Sequence, residues 1–200
     1  MEVEGALSDA EVIAASVHDP DQFSILVERH FVVIHRYLAR RVGDESDDLA
    51  AETFCQAFGA RRLYDSARLD ALPWLFGIAT NLVRHHRRSE MRQLAAYARL
   101  RGEALRSVDN TAASAADLDA RVEVAQMASA LAGLEDDQRD ALYLIAVAGL
   151  GYEEAAVALG CPAGTVHSRV ARARARLRDL VRATGKEPDN DREARATERS

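Results

Sequence analysis

The chain has 200 residues, of which 48% are hydrophobic and 29% charged, and its 32 acidic and 26 basic side chains give a net charge of −6. This composition is typical of a folded protein, and the length accommodates one domain or two small ones. No apolar run approaches the ~20 residues of a membrane helix, and the N-terminus lacks a signal-peptide pattern. The two cysteines, Cys55 and Cys161, are far apart and predict neither a zinc site nor a disulfide framework. We therefore expect a reduced, cytoplasmic chain without membrane insertion.

The charge is distributed unevenly along the chain. Residues 1–21 contain six acidic side chains and no lysine or arginine. Two other segments are rich in arginine: residues 84–106 contain seven arginines against two glutamates, and residues 169–182 contain six against one aspartate. Basic clusters of this kind are typical of phosphate-binding surfaces, whereas the acidic remainder opposes nucleic acid. We expect the chain to bind DNA weakly by itself and to need a partner.

The N-terminal half predicts three helices. Asp19 suits the N-cap of the first, with Pro20 in the first turn, and Gly43 ends it. The second is expected from residue 44 or 46 to about residue 60, burying Leu49, Thr53, Phe54, Ala57 and Phe58. After a polar connector at residues 64–68, the third helix begins near Pro73 and buries Leu75, Ile78, Ala79 and Leu82. It continues as a basic helical segment towards residue 106.

The C-terminal half begins with a change in composition. Residues 107–120 are small, polar and mildly acidic, which predicts a flexible linker. Helices are expected over residues 121–134 and 136–148, followed by a helix-turn-helix. In that motif Gly160 suits the left-handed conformation that ends a helix, and Pro162 suits the start of the next.

The second helix of this motif has one apolar stripe, formed by Val166, Val170, Ala173 and Leu177. Packing of the stripe inward leaves an opposite face of polar and basic residues: Thr165, His167, Ser168, Arg169, Arg172 and Arg176. A short helix behind an outward-facing basic helix is the geometry that enters a DNA major groove. The motif therefore makes DNA the first candidate ligand.

No strand pattern occurs, so we predict an all-α chain of two small helical domains joined by a flexible linker, the second domain containing the helix-turn-helix. The predicted boundaries are an acidic N-terminal extension at 1–18, a first domain at 19–106, the linker at 107–120, a second domain at 121–182 and a disordered tail at 183–200.

Three stretches together resemble the extracytoplasmic-function (ECF) sigma factors of the sigma-70 family, the promoter-recognising subunits of bacterial RNA polymerase. They are Asp48-Leu-Ala-Ala-Glu-Thr-Phe54, Trp74-Leu-Phe-Gly-Ile-Ala-Thr-Asn-Leu82 with the arginines that follow, and Gly164-Thr-Val-His-Ser-Arg-Val-Ala-Arg-Ala-Arg174. The resemblance covers residues 20–182 and identifies both domains, as sigma regions 2 and 4. The resemblance implies that the protein is not itself an enzyme and that it directs RNA polymerase to promoters.

The first stretch resembles region 2.2, which binds the clamp helices of the polymerase β′ subunit. Asp48 and Glu52 are one helical turn apart and can present a carboxylate pair to a basic partner. The resemblance places Leu49 in the same contact, although packing inside the domain is the more natural role of a leucine. The family usually has glutamine where this chain has Ala51.

The second stretch resembles regions 2.3 and 2.4, which recognise and open the −10 element. Asn81 matches the position beside an unstacked base, where an amide offers both a donor and an acceptor. The segment from Tyr64 to Arg68 corresponds to the loop that forms the pocket for that base. The basic residues that follow are expected to hold phosphates: Arg84, His85, Arg87 and Arg88. Trp74 is expected to pack in the core.

The third stretch resembles region 4.2, which contacts the −35 element in the major groove. The resemblance places four residues at base edges: His167, Ser168, Ala171 and Arg172. It places another four at phosphates: Thr165, Arg169, Arg174 and Arg176. The family commonly has lysine or arginine in place of His167 and a larger side chain in place of Ala171, so the promoter sequence stays open.

The implied partners are promoter DNA and core RNA polymerase, which holds the first domain at the β′ clamp helices and the second at the β flap. Family members are commonly held inactive by an anti-sigma factor, and the sequence leaves open whether one exists here. No cofactor, metal or catalytic residue is expected.

Three alternatives remain from the sequence. One is a stand-alone helix-turn-helix regulator that binds an operator, although residues 20–106 lack the βα alternation of a common sensing domain. Another is a hydrolase or metal-dependent sensor that uses His30, His35, His85 and Cys55, which lack the spacing of a site. The third is a helical adaptor, which leaves both arginine clusters unexplained.

Overall fold

A computed structural model of the chain describes residues 7–101, 131 and 133–184, and within these it contains α-helices and short 3₁₀ turns but no strand. The N-terminal module contains α1 (Asp9–Ser16), α2 (Phe23–Val42), α3 (Ser46–Ala60) and α4 (Leu72–Arg101). The C-terminal module contains α5 (Asp136–Ala146), α6 (Tyr152–Leu159) and α7 (Ala163–Thr184). The 3₁₀ turns are Pro20–Gln22, Gly43–Glu45 and Arg61–Leu63.

The helix boundaries agree closely with the sequence-based predictions. Asp19 caps the start of the first predicted helix by accepting the Asp21 N–H at 3.3 Å, although the first turn is 3₁₀ and the α-helix begins at Phe23. Gly43 ends α2 with a φ of 66°, a conformation that glycine adopts without strain. The predicted linker at 107–120, most of the predicted helix at 121–134 and the predicted tail at 183–200 lie outside the described residues.

The acidic N-terminal segment, for which the sequence predicted no helix, contains α1. Ser8 and Glu11 form a capping box at its start, and Val12 and Ile13 are buried in the core. The helix is fixed by Asp9, whose side chain is 9% exposed. The Asp9 carboxylate accepts hydrogen bonds from the Arg29 guanidinium at 2.9 Å and the Ala71 N–H at 3.1 Å.

Asp9 also lies 2.6 Å from His30 Nε2, so three partners share one carboxylate. Burial by itself would raise the pKa of Asp9. The hydrogen bonds from Ala71, Arg29 and His30 outweigh burial and lower the pKa below its ordinary value. The charged form of Asp9 therefore ties α1 to α2 and to the start of α4.

One continuous apolar core runs through both modules. In the N-terminal module it contains Leu26, Ile34, Leu38, Phe54, Leu75, Phe76 and Val83, and in the C-terminal module Leu144, Ala155, Val166, Val170 and Ala173. Helix α4 packs against α6 and, less extensively, against α5. The two predicted domains are thus in direct contact, which the sequence did not indicate.

Among the described residues, no helix combines the length and the apolar character that crossing a bilayer requires.

We predict that Asp9→Asn lowers the free energy of unfolding at pH 7 by about 1.5–3 kcal/mol, because hydrogen bonds to a charged acceptor are lost. Since the folded-state pKa is depressed, the wild-type advantage is complete above the ordinary pKa of 3.8 and is lost as the pH falls through the folded-state value. Urea unfolding followed by circular dichroism, at pH 7 and at several pH values below 4, measures both effects.

The matched control is Glu28→Gln, a change of an exposed carboxylate on α2, which should leave stability unchanged. Equal stability of Asp9→Asn and the wild type at pH 7 would contradict the anchoring role of Asp9.

Candidate nucleic-acid interface

The outer face of α3 presents the acidic residues predicted to bind a partner. Asp48 and Glu52 are exposed one turn apart, and Leu49 is half-buried against the core. Gln56 donates a hydrogen bond to Glu52 at 2.9 Å and extends this polar face by a further turn. Asp48 and Glu52 are accessible while the two modules are in contact, whereas Leu49 contributes to packing.

The segment between α3 and α4 is an ordered loop held by Tyr64. Its hydroxyl donates to the Arg68 carbonyl at 2.7 Å and lies 3.1 Å from the Asp70 carbonyl. Its ring packs against Trp74, with the ring centroids 5.0 Å apart. Burial raises the pKa of Tyr64 to about 12, with a further contribution from the nearby Asp9 and Asp70 carboxylates. Tyr64 therefore shapes the loop, while Arg68 is exposed beside it.

The predicted −10 residues of α4 lie in different environments. Asn81, His85 and Arg88 are exposed, and Arg88 donates to the carbonyl of Arg84, one turn earlier. Arg87 is half-buried and donates to the Arg41 carbonyl at 3.2 Å. Burial, with Arg41 and Arg139 nearby, lowers the pKa of Arg87.

Several of these side chains line a cavity of about 1040 Å³ between α4 and the C-terminal module. Its basic lining residues are Arg41, His85, Arg87, Arg88, Arg92 and Arg139. Burial, followed by repulsion from Arg41 and Arg139, disfavours the charge on Arg87, and a nearby anion would favour that charge. The carboxylates of Glu90 and Asp136 also line this cavity, and the phosphate contacts expected for the far part of α4 stay a prediction.

The helix-turn-helix is formed by α6 and α7. Gly160 ends α6 in the left-handed conformation, with a φ of 60°, and the Cys161 N–H bonds back to the Ala156 carbonyl at 3.1 Å. The predicted stripe of α7 faces inward: Val166, Val170 and Ala173 are buried and Leu177 is half-buried. The opposite face presents the predicted −35 residues, exposed at His167, Ala171, Arg172, Arg174 and Arg176 and half-buried at Thr165, Ser168 and Arg169.

The structure adds Tyr152 to this recognition face. Its ring stacks on the His167 imidazole, with centroids 3.6 Å apart and planes 9° apart. The stack restricts the orientation of a side chain that the sequence placed at a base edge. Tyr152 lies fifteen positions before His167, in the preceding helix, so neither periodicity nor motif spacing pointed to it.

Two of the predicted DNA-binding arginines are engaged within the protein. Arg84 pairs with Asp140 and, at 2.8 Å, with Asp137, both on α5. Arg169 pairs with Asp137 as well. Burial would lower the pKa of Arg84, but these carboxylates outweigh it and raise the pKa. The structure thus brings one arginine of each predicted DNA-binding surface to a single carboxylate.

Two groups in the described ranges bring His and carboxylate ligand atoms within 4.8 Å of one another: Asp9, His30 and Asp70, and Glu45, His86 and Glu90. In the first, Asp9 already accepts hydrogen bonds from Arg29 and a backbone N–H. In the second, both glutamates are exposed, and such acidic groups are common without a metal. The expected absence of a metal site stays a prediction.

Comparison with known families gives two matches that follow one another along the chain. The model for Sigma-70 region 2 matches residues 26–93, and the model for Sigma-70, region 4 matches residues 125–177. The first contains α3, the loop and the basic part of α4 up to residue 93. The second contains α5, α6 and most of α7.

Curated relatives carry the same description. The probable RNA polymerase sigma-C factor of Mycobacterium bovis is 43% identical over 129 residues, which is 64% of this chain and 66% of the relative. The ECF RNA polymerase sigma factor EcfG of Rhodopseudomonas palustris is 36% identical over 72% of this chain and 75% of its own length. The RNA polymerase sigma factor NccH of Alcaligenes xylosoxydans xylosoxydans is 32% identical over 87% of this chain and 95% of its own length.

Solved structures agree with this description. CnrH in complex with the cytosolic domain of CnrY superimposes with a TM-score of 0.61 at 28% identity, covering 88% of this chain and 97% of CnrH. The sigma factor RpoE of Bartonella quintana, in complex with the anti-sigma factor NepR, gives a TM-score of 0.55 at 27% identity, covering 81% and 98%.

The hydroxyl of Tyr64 generates a direct prediction. Tyr64→Phe should keep the contact with Trp74 but lose the hydrogen bonds to the loop carbonyls, lowering the free energy of unfolding by about 1 kcal/mol. Tyr152→Phe is the control, because the Tyr152 hydroxyl makes no hydrogen bond within the described part of the chain and its stack on His167 needs only the ring. Urea unfolding of both variants measures the difference, and equal stability would mean that the hydroxyl does not hold the loop.

Proposed function

Because the chain belongs to the sigma-70 family, as an ECF RNA polymerase sigma factor, we propose that it binds core RNA polymerase and directs transcription initiation at promoters with its own −10 and −35 elements. The observation that carries this function is the presence of both sigma regions in one chain, each with an accessible basic helix. The chain spans 66% of the first curated relative, and about three quarters or more of the other two described above.

The polymerase contact is proposed for α3. Asp48 and Glu52 form an exposed carboxylate pair suited to basic residues of the β′ clamp helices, and Leu49 supports the helix from inside. The C-terminal module is proposed to meet the β flap. Binding of both modules to one polymerase would fix the separation of the two DNA-binding surfaces. It would also raise the effective concentration of the second DNA-binding surface near its element once the first surface has bound.

The −10 element is proposed to bind the loop and α4. Asn81 is exposed on α4 and offers an amide to an unstacked base, and Tyr64 and Arg68 shape and flank the adjoining loop. Four basic side chains of α4 hold the phosphates: Arg84, His85, Arg87 and Arg88. Capture of unstacked bases offsets the few kcal/mol that opening each base step costs.

The −35 element is proposed to bind α7 in the major groove. Base edges would be contacted by His167, Ser168, Ala171 and Arg172, and phosphates by Thr165, Arg169, Arg174 and Arg176. The stack of Tyr152 on His167 supports a fixed orientation of the imidazole at the first of these positions.

The protein is proposed to act in the cytoplasm and to have no catalytic activity of its own. Solved relatives include complexes with an anti-sigma factor, and we propose that such a protein controls this one. A stand-alone operator-binding regulator is not favoured, because the sigma region 2 match occupies residues 26–93, where a sensing domain would be needed.

Run-off transcription on a pool of genomic fragments, with core polymerase added, tests this function. The chain should bind core polymerase and yield transcripts with discrete start sites that share upstream elements. Failure to associate with core polymerase, or tight operator binding without it, would reject the sigma assignment.

Asn81→Ala should reduce promoter opening at least about fivefold, because an amide contact to a base is worth about 1–3 kcal/mol. Binding to core polymerase should not change, since Asn81 lies outside the α3 face. Permanganate footprinting of the opened strand measures the first quantity, and mobility of the complex with core polymerase measures the second. Equal losses in both would count against the assigned role of Asn81.

Arg172→Ala should weaken −35 binding by about 1–3 kcal/mol and relax preference at one base pair. The control is Arg178→Ala, an exposed arginine of the same helix that lies six residues beyond Arg172, the last of the predicted base contacts. Competition with base-substituted −35 duplexes, measured on the holoenzyme, separates the two. An unchanged base preference in Arg172→Ala would reject this assignment of the recognition face.

A further inference from the structure

One aromatic stack joins the two helices of the helix-turn-helix. The Tyr152 ring lies on the His167 imidazole, with the ring centroids 3.6 Å apart and the ring planes 9° apart. At that separation the two rings are in van der Waals contact, so Tyr152 covers one face of the imidazole. Because Tyr152 belongs to α6 and His167 to α7, the stack fixes a side chain of one helix against the other.

Tyr152 is itself held in place by its surroundings. It is the first residue of α6, and the start of this helix is fixed by Glu154, which accepts the Gly151 N–H at 2.6 Å. The Tyr152 side chain is half-buried and packs against the apolar core. Ala155 and Ala156, which are buried, anchor the same helix about one turn later. The phenol ring is therefore a support whose position is set by the packing of α6.

The stack leaves the edge of the His167 imidazole available to a ligand. His167 is exposed, and within the described ranges neither of its ring nitrogens has a hydrogen-bond partner. Stacked base pairs likewise present only their edges in the major groove. A contact between the two is therefore edge to edge, through a hydrogen bond between an imidazole nitrogen and one atom of a base.

The chemistry of imidazole indicates which base atom this is. An imidazole carries at least one N–H donor in either neutral tautomer and in its protonated form, so the matching base atom is an acceptor. The major-groove acceptors are N7 of both purines, O6 of guanine and O4 of thymine. Thymine O4 lies beside the C5-methyl group, which crowds the edge of a planar ring. Purine N7 has no such neighbour and is common to adenine and guanine.

We propose that Tyr152 is a positioning residue for −35 recognition, which holds the edge of the His167 imidazole toward N7 of one purine. This inference rests on the proposed function, because that function places α7 in the major groove. The advantage is preorganisation: an imidazole already held by the stack loses less conformational freedom when it meets the base. His167 makes the contact, and Tyr152 acts through His167.

The stack is tested in the free full-length chain by proton NMR of labelled histidine. The ring current of Tyr152 should move the ring-proton signals of His167 upfield, and these signals are assigned by their absence in His167→Ala. Tyr152→Leu should abolish the upfield shift, whereas Tyr152→Phe should keep it because only the ring is needed. Identical His167 signals in the wild type and in Tyr152→Leu would overturn the stack.

The consequence is tested on the complex with core polymerase. Selection from a duplex library randomised over the −35 element should give a purine preference at one base pair. Replacing that purine with its 7-deaza analogue, which lacks N7, should weaken binding of the wild type. The ratio of the two affinities should fall by about twofold or more in Tyr152→Leu, since an aromatic pair is worth about 0.5–1.5 kcal/mol, and Tyr152→Phe should keep the wild-type ratio.

Two features of this measurement separate positioning from a merely structural role. The ratio compares two duplexes on one protein, so a loss of folded protein or of polymerase binding cancels. His167→Ala should bind both duplexes equally, and adding Tyr152→Leu to it should change the ratio no further. A wild-type ratio in either His167→Ala or Tyr152→Leu would overturn the inference. If circular dichroism shows that Tyr152→Leu does not fold, Tyr152→Met takes its place.

The same measurements distinguish failure of this inference from failure of the proposed function. If the wild-type complex with core polymerase selects no −35 sequence, the proposed function fails and the role of Tyr152 in recognition fails with it, while the NMR signals still report the stack. If a −35 sequence is selected but no 7-deaza substitution weakens binding, the proposed function stands and the contact with purine N7 is overturned.

Discussion

The arrangement of the two modules depends on the burial of one carboxylate, Asp140, between two guanidinium groups. Arg41 is held by more than this pair: its Nη1 donates to the Tyr37 hydroxyl at 2.6 Å, that hydroxyl lies 2.8 Å from Thr80, and the guanidinium lies over the Tyr143 ring at 5.0 Å. A charge so placed is tolerated only while its partner is present, since an unpaired buried charge destabilises a fold by about 3–5 kcal/mol. Removal of the Asp140 carboxylate alone would therefore leave Arg41 buried and unpaired for as long as the modules stay in contact.

Local structure was largely predictable because each helix carries its own boundary signals. Asp19, Gly43 and Gly160 act through backbone conformation within a few residues, and the stripe from Val166 to Leu177 needs only helical periodicity. The helix at Asp9–Ser16 was not recognised, although Ser8 and Glu11 provide a local start signal, the capping box. Its anchoring was not predictable, because Asp9 binds residues 20 and more positions away. No local pattern distinguishes such an aspartate from the other acidic residues of the N-terminal segment.

In the candidate site, too, local features could be predicted from the sequence and tertiary contacts could not. Exposure of Asp48, Asn81 and Arg172 follows from helical spacing once the buried stripe is known, so the sequence placed them on accessible faces. The partners of Arg84 and Arg169 could not be predicted: α5 reaches Arg84 only through the packing of one module on the other, and it reaches Arg169 through the tertiary fold of the C-terminal module. The sequence places an arginine on a helix face. The tertiary structure determines whether its guanidinium pairs with a carboxylate of the protein or stays available for a phosphate.

The energetics of the contact between the two modules also limit how that contact can be released. Among the described residues, the buried Nε of Arg41 lacks a hydrogen-bond partner, which costs about 1–3 kcal/mol, and buried ion pairs add little net stability after desolvation. A ligand that binds the packed and the separated modules equally well shifts nothing, however tight its binding. Because the α3 face is exposed while the modules are in contact, a partner that binds Asp48 and Glu52 alone cannot separate α5 from α4. A ligand that separates the modules must therefore bind surfaces that the packing of α4 on α5 and α6 covers.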